Sequence, residues 1–356
     1  MLTFYFIMKS LNRFNYFLKG VESFQKLFLK ERMMLTTLKD VAKRANVGVS
    51  TASYALNGNK LIKEATRKKV LQAANELGYH PNGNAKNLKR SKNEMIGLFI
   101  SGFTGPFFNQ LLEGIQDVVV SHGYELVVCA SNERHRMLTE RLVDGAIILN
   151  YHIETDLLKT VASKKMPLIV LDREIDHPHI YTALLPNKKG IYQAVEHLEK
   201  KGHRDIGFIA GSESSFDGEE RLNAFYSYGE SHHFTINHDY ILRADFTEDS
   251  GYCIMQSFLN EQDHYPSAFV AANDEMAMGA IRAIQEYGLS VPKDIAIVGF
   301  DDIIISQYYQ PSITTVRVHK KEWGERVAEA MLDILTGNKI NLDIQPPIEF
   351  IERQST

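Results

Sequence analysis

Cysteine and tryptophan are almost missing from these 356 residues, with two of the first and one of the second. Cys129 and Cys253 lie far apart and lack the paired spacing of a zinc site or redox motif. That excludes a disulfide framework and points to a reducing compartment, with each thiol expected as a small buried apolar side chain. No apolar run reaches the ~20 residues of a membrane span. Nor do a charged start, an apolar middle and a small-residue cleavage site follow in order, so neither export nor membrane insertion is expected. A glycine-rich phosphate loop, a nucleophile elbow and catalytic carboxylates at working spacing are all wanting, which argues against an enzyme. The 13 histidines gather on no single element, and His232 and His233, being adjacent, point apart on a helix or a strand. No metal and no cofactor are expected.

What is present is an ordinary globular composition, 44% hydrophobic and 24% charged, in a chain long enough for two or three domains of about 100–200 residues each. The net charge of −4 divides unevenly: +4 over residues 1–35, +9 over residues 36–92 and −17 over the remainder. A basic head thus precedes an acidic body. That is the footprint of a nucleic-acid-binding module joined to a domain with another task, a merely solvated basic surface being the alternative at this point. Residues 1–35 interleave eight aromatics with six basic residues. They read either as an amphipathic membrane-surface or partner-binding helix or as an extension ahead of a true start at Met33 or Met34.

From Thr37 the chain becomes patterned. Leu38, Val41, Ala42 and Ala45 fall on one face of a helix, and Thr37 with Asp40 forms a capping box at its start. A short turn containing Gly48 leads to a second helix from Val49, burying Ala52, Ala55 and Leu56. A third, from Glu64 to Leu77, stops at Gly78. Two short helices joined by a tight turn and braced by a third describe a helix-turn-helix; a generic three-helix bundle would share the periodicity but not the charge.

Thr37 to Val47 together with Ser50 to Gly58, then Thr66 to Val70, Leu77 to Asn82 and Ala85 to Leu88, resemble the LacI/GalR family of bacterial transcription regulators. The resemblance implies that Val49, Ser50 and Tyr54 read base edges, and that Thr51, Ser53 and Asn57 hold phosphates. It also implies a hinge over residues 82–92 that folds on DNA, places Ala85 and Leu88 in the minor groove and leaves Lys89 for phosphates. Gly48 and Tyr54 stand where many members carry Ser and Arg, and Lys63 replaces the serine that usually caps the third helix.

Beyond Asn93, short apolar strands alternate with helical stretches: Met95–Ser101, Glu125–Ala130, Gly145–Asn150, Pro167–Asp172, Ile206–Gly211, Tyr240–Ala244, Ala268–Ala272 and Ile295–Phe300, with a closing segment at Thr314–Val318. Alternation of this kind predicts parallel sheets covered by helices, in two lobes with a cleft at the strands' carboxyl ends. The resemblance, which covers everything after residue 35, implies a periplasmic-binding-protein-like core over residues 93–356 behind an all-α head over residues 36–81. A shortened crossover between Ser131 and Val143 should clip the second helix of the first lobe.

Candidate ligand contacts are Asn273 and Asp301 at strand ends, Arg221 and Phe246 by the resemblance, and Phe107 on the opposite wall with Phe103 and Phe108. Asp274 and Asp302 read either as ligand contacts or as helix caps, and Phe107 or Phe108 either as cleft or as core residues. The expectation is a sequence-specific cytoplasmic regulator, read as a repressor. It would bind a double-stranded DNA operator as a homodimer and respond to a small molecule, a sugar or sugar derivative ahead of a nucleobase. Control by a protein partner, or a solute-binding protein, are the rivals.

Overall fold

Thr37 starts the first helix of the computed structural model, which describes residues 36–80, 92–103, 105–131, 133–232, 236–262, 264–339 and 344–356. The Asp40 carboxylate accepts from the Thr37 amide at 2.9 Å while Thr37 Oγ1 accepts from the Asp40 amide at 3.4 Å, the reciprocal box expected from the sequence. The Thr37 hydroxyl, donating to the Asp40 carboxylate at 2.6 Å, and then the Thr37 amide hold that carboxyl below the usual carboxylate range.

Helix α1 (Leu38–Arg44) is followed by Asn46 at φ 54°, so the left-handed turn residue is an asparagine, while Gly48 is extended and serves as N-cap of α2 (Val49–Leu56). Helix α3 (Glu64–Glu76) ends against Gly78 at φ 60°. Neither Gly48 nor Lys63 gives its helix a side-chain cap. The core of this unit is Val41, Ala42, Ala52, Ala55, Val70, Ala73 and Ala74, small residues that let three helices approach closely. Arg67 Nη2 donates to Asn59 O at 2.8 Å across the loop between α2 and α3, and Arg44 pairs with Glu76 at 2.5 Å. Residues 1–35, and the hinge with Ala85, Leu88 and Lys89, lie outside the described residues.

The chain divides into two compact units between Ser91 and Lys92. The second contains two sheets. In the first, β1 (Met95–Ile100), β2 (Glu125–Cys129), β3 (Gly145–Leu149), β4 (Leu168–Val170) and β5 (Ile180–Thr182) run parallel in the order β2-β1-β3-β4-β5. Helices α4 (Phe107–Ser121), α5 (Arg136–Thr139) and α6 (Thr155–Val161) connect them. Strand β1 is buried on both faces, with Ile96, Leu98 and Ile100 in one core and Phe99 in the other, as a covered parallel strand requires.

The second sheet is built from β6 (Ile206–Ala210), β7 (Ile241–Arg243), β8 (Ala268–Ala271), β9 (Ala296–Asp301), β10 (Thr314–Val318) and β11 (Ile348–Ile351). Its order is β11-β10-β9-β8-β6-β7, parallel except for β11 against β10. Helices α7 (Asn187–Lys200), α8 (Phe216–Ser231), α9 (Glu248–Glu261) and α10 (Asp274–Glu286) belong to it, whereas α11 (Lys320–Thr336) packs on β3, β4 and α4 of the first lobe. The chain therefore passes between lobes three times: before α7, before α11 and before β11.

Two strands go beyond the sequence reading. Strand β5 has three residues, and β11 is half-exposed, so neither makes a continuous apolar run. Helix α5, four residues long, is the clipped helix expected after Ser131. One expectation fails: Cys253 is exposed, because α9 buries Gly251, Met255, Phe258 and Leu259 and turns Cys253 outward. Cys129 is half-buried, and burial pushes its thiol pKa up.

Helices α4 and α11 cross with backbones in contact. A Cβ on Gly114 would stand 2.0 Å from the Lys321 carbonyl oxygen, and one on Gly324 2.4 Å from that of Leu111. Replacing Gly114 by Ala is expected to cost this unit about 1–3 kcal/mol, because backbone cannot give way as a side-chain tip can. Chemical denaturation checks it; an unchanged midpoint would mean the crossing is loose.

Candidate functional site

On the head, α2 turns Ala52 and Ala55 into the core and leaves Val49, Ser50 and Tyr54 outside, Val49 at 43% and Tyr54 at 50% exposure. Thr51 and Ser53 are half-buried beside them. Asn57 is folded back, its Nδ2 donating to Ser53 O at 2.8 Å, which leaves its Oδ1 outward of the helix end. Lys39, Lys43, Arg44, Lys60, Lys63, Lys68 and Lys69 are all exposed, whereas α2 itself carries no charge. Of the nine candidate DNA contacts, six thus share one surface element, and Ala85, Leu88 and Lys89 fall outside the described residues.

In the second unit a cleft of about 360 Å³ lies where strands of both sheets end. Phe107 and Phe108, at the start of α4, and Tyr151 and Asp172 line it from the first lobe; Asp217, Arg221, Phe246, Asn273, Glu275 and Asp301 line it from the second. Phe103 is 69% exposed and takes no part in this wall, although Ser101, Gly102 and Gly105 around it line the cleft. The Phe107 and Phe108 rings meet edge to face at 5.6 Å, and the Lys320 ammonium lies 5.6 Å over Phe107.

Arg221 is only 3% exposed. Its Nε donates to Asn187 Oδ1 at 2.9 Å, Nη1 donates to Ala272 O at 2.5 Å, and the guanidinium lies 3.9 Å over the Phe300 ring. Nη2 faces Asp301 at 3.7 Å. Asn187 in turn donates to Asp217 Oδ1 at 2.7 Å, so one chain of polar groups runs Asp217, Asn187, Arg221, Asp301. Arg221, a candidate ligand contact by the resemblance, thus lines the cleft with a fork already engaged by protein acceptors.

Asp301 and Asp302 are consecutive residues of positive φ, 105° and 49°, which turns their carboxylates apart at the end of β9. The Asp301 carbonyl accepts from the buried Lys320 ammonium while its Oδ1 has no hydrogen-bond partner. Asp302 pairs with Arg353 at 2.6 Å and Arg317 at 2.7 Å, facing away from the cleft's lining.

Asp274 is neither cap nor ligand contact. The cap of α10 is Asn273, whose Oδ1 accepts from the Met276 amide at 3.0 Å, while buried Asp274 accepts from the Ile303 amide, Ser306 Oγ and Thr315 Oγ1. Asn273 Nδ2 donates to Phe246 O at 2.8 Å, so its amide is spent at both ends, holding Phe246. Phe246 itself has φ 72°, and its ring sits where Cβ atoms of Gly211 and Gly218 would be.

Burial governs the carboxyl groups. It lifts Asp172 to about 6, with Asp217 adding to the lift and Arg173 opposing it. It also raises Asp217 and Asp301 against the pull of Arg221, and takes Asp274 to about 7. Neither carboxylate oxygen of Asp172 has a hydrogen-bond partner, although Arg173 stands 3.5 Å away. Asp172, Asp217 and Asn187 were missed from sequence. Asp172 lies two residues past β4, at the end of the apolar segment Pro167–Asp172 read from the sequence, and the strand-end rule that singled out Asp301 finds it there as well. Among the described residues no His, Cys, Asp or Glu group could hold a metal ion, and no helix is long and apolar enough to cross a membrane.

A basic helix-turn-helix and a two-lobed cleft domain on one chain define a ligand-responsive DNA-binding protein. The chain matches the bacterial regulatory proteins of the lacI family over residues 37–82 and the periplasmic binding protein-like domain over residues 195–356. It is 33% identical to the HTH-type transcriptional repressor PurR of Aliivibrio salmonicida (strain LFI1238) across 84% of this chain and 92% of that one. It is 35% identical to the probable HTH-type transcriptional repressor ExuR of Bacillus subtilis (strain 168), across 90% of this chain and 98% of that one. Among solved structures, the lac repressor dimer bound to operator and the anti-inducer ONPF matches 90% of this chain and 98% of its own, at 29% identity and a TM-score of 0.74. A complex of the transcriptional regulator CelR with cellobiose matches 90% of this chain and all of its own, at 28% identity and a TM-score of 0.68. The chain belongs to the LacI family of bacterial transcription regulators, and is a DNA-binding regulator rather than an enzyme.

Asp172 makes one pH effect readable. Its folded pKa of about 6 lies above the ~3.9 of an unfolded aspartate, so the native state holds the proton more tightly. The associated stability is present below about pH 4 and is lost as pH rises through about 6. Asp172→Asn should therefore melt several degrees above the parent near pH 8 and no higher near pH 4, measured without ligand by thermal unfolding. An equal gain at both pH values would assign the effect to packing instead.

Proposed function

We propose that this regulator is a cytoplasmic repressor that occupies a double-stranded DNA operator as a homodimer, through α2 and the segment 82–92, under control of a neutral sugar or sugar derivative in the cleft. The observation that carries the ligand class is the set of buried carboxylate oxygens without a hydrogen-bond partner, both of Asp172 and Oδ1 of Asp301, on residues that line a cavity walled by Phe107, Phe108 and Phe246. A sugar presents hydroxyl donors at its edge and apolar C–H faces to aromatic rings, which satisfies both. Five carboxylates line the cleft against one guanidinium that the protein already holds, which disfavours an anionic ligand. The cellobiose seated in the related CelR structure accords with this class.

One head reading a few base pairs binds weakly, whereas two related by a two-fold axis engage a near-palindrome together. The exposed apolar side chains of Ile304, Ile305 and Tyr308 on one short helix suit burial against a second copy. Ile305→Glu should then shift the dimer toward monomer by tenfold or more in dissociation constant, read by sedimentation; an unaltered dimer would put the interface elsewhere.

The function is tested by mobility shift on DNA flanking the gene, repeated across neutral sugars, acidic sugars and purines. A neutral sugar is expected to change operator affinity by about 5- to 150-fold, the usual range of such coupling. No response to any small molecule would favour control by a protein partner. Tyr54→Ala should alter base preference, whereas Lys89→Ala should weaken binding to every sequence and flatten its salt dependence; identical effects from both would undo that division of roles.

A further inference from the structure

Helix α2 reads Val-Ser-Thr-Ala-Ser-Tyr-Ala-Leu and holds no Arg, Lys, Asn, Gln, Asp or Glu. Arg or Lys recognises guanine and Asn or Gln adenine by two hydrogen bonds at once, and Asp or Glu accepts from the amino group of cytosine. The absence is local, since α1 and α3 on either side carry Lys39, Lys43, Arg44, Arg67, Lys68 and Lys69. A helix of this kind cannot read guanine or adenine with a fork. Its only large groups turned outward are Val49, in the first turn, and Tyr54.

Residues at the N-terminal end of a recognition helix are the ones that meet base edges. Val49 is the first residue of α2, follows an uncapped glycine with no side chain to intervene, and exposes two methyl groups that contribute nothing to the head's own core. In the major groove the one apolar group offered by any base is the 5-methyl of thymine. Building on the DNA-binding reading above, we propose that Val49 reads a thymine methyl, so that each operator half-site carries a thymine there, recognised through apolar contact rather than hydrogen bonding.

The test uses the full-length protein. Binding sites are first selected from a random duplex pool, and each thymine of the selected site is then replaced singly by deoxyuridine, which keeps every hydrogen bond and removes only the methyl. One position per half-site should lose about fourfold in affinity, the worth of one buried methyl-sized group. In Val49→Ala, whose fold is checked by circular dichroism, thymine and uracil at that position should bind alike. Uracil tolerated everywhere, or a penalty that persists undiminished in Val49→Ala, overturns the assignment while leaving DNA binding intact. If no duplex is enriched over random competitor, the DNA-binding reading itself falls and takes this inference with it.

Discussion

The buried guanidinium of Arg221 is the constraint on which the second unit's cleft depends. A cation removed from water costs several kcal/mol unless partners surround it, and here they come from the start of α7, the end of β8, the ring of Phe300 and the carboxylate of Asp301. Asn187 and Ala272 thereby tie α7 to the end of β8, and the nearby guanidinium opposes the rise in pKa that burial imposes on Asp217 and Asp301. The chain of polar groups passes through Asn187, the first residue of α7, just after the polypeptide has passed from one lobe to the other. The start of α7, where the polypeptide enters the second lobe, is thereby tied to the cleft lining by the Asn187–Arg221 hydrogen bond.

The head divides its labour differently. On the proposed reading, affinity for phosphates comes from exposed lysines on α1, α3 and the loop between α2 and α3, while the uncharged α2 meets the bases. Counterion release makes the first contribution depend on salt, whereas contacts made by Val49 and Tyr54 do not release ions. Small core residues complete the arrangement: with alanines at five of seven buried core positions, the helices come close enough for an outward-facing stripe only a few residues wide to be held rigidly.

Much of this was legible in the residues because the signals are local. The capping box at Thr37 and Asp40, the stop at Gly78 and the long apolar strands each depend on neighbours within a few positions. The cleft's aromatic wall was half legible: Phe107 and Phe108 lie on it, whereas Phe103, on the same connection, is turned out to solvent. What escaped was set by distant partners. Asp274 looks like a cap because it opens α10, yet it is bound by Ile303, Ser306 and Thr315, and the cap is its neighbour Asn273. Asn187 has no pattern of its own and matters only because Arg221 and Asp217 arrive beside it. Cys253 was misjudged for a plainer reason: average burial of a residue type says little about which side of an amphipathic helix it occupies.

Three passages between the lobes have a consequence for how the polypeptide is made. The first sheet is complete by Thr182, but the helix that covers one of its faces, α11, is among the last to leave the ribosome. Until Lys320–Thr336 emerges, Gly114 on α4 has no mate at its crossing and the surface around Gly145 and Ile147 has no cover. The head can settle during synthesis; the lobes must wait and close together. Nascent chains stalled short of residue 320 would present that uncovered face to chaperones, and a premature stop there would cost both lobes at once.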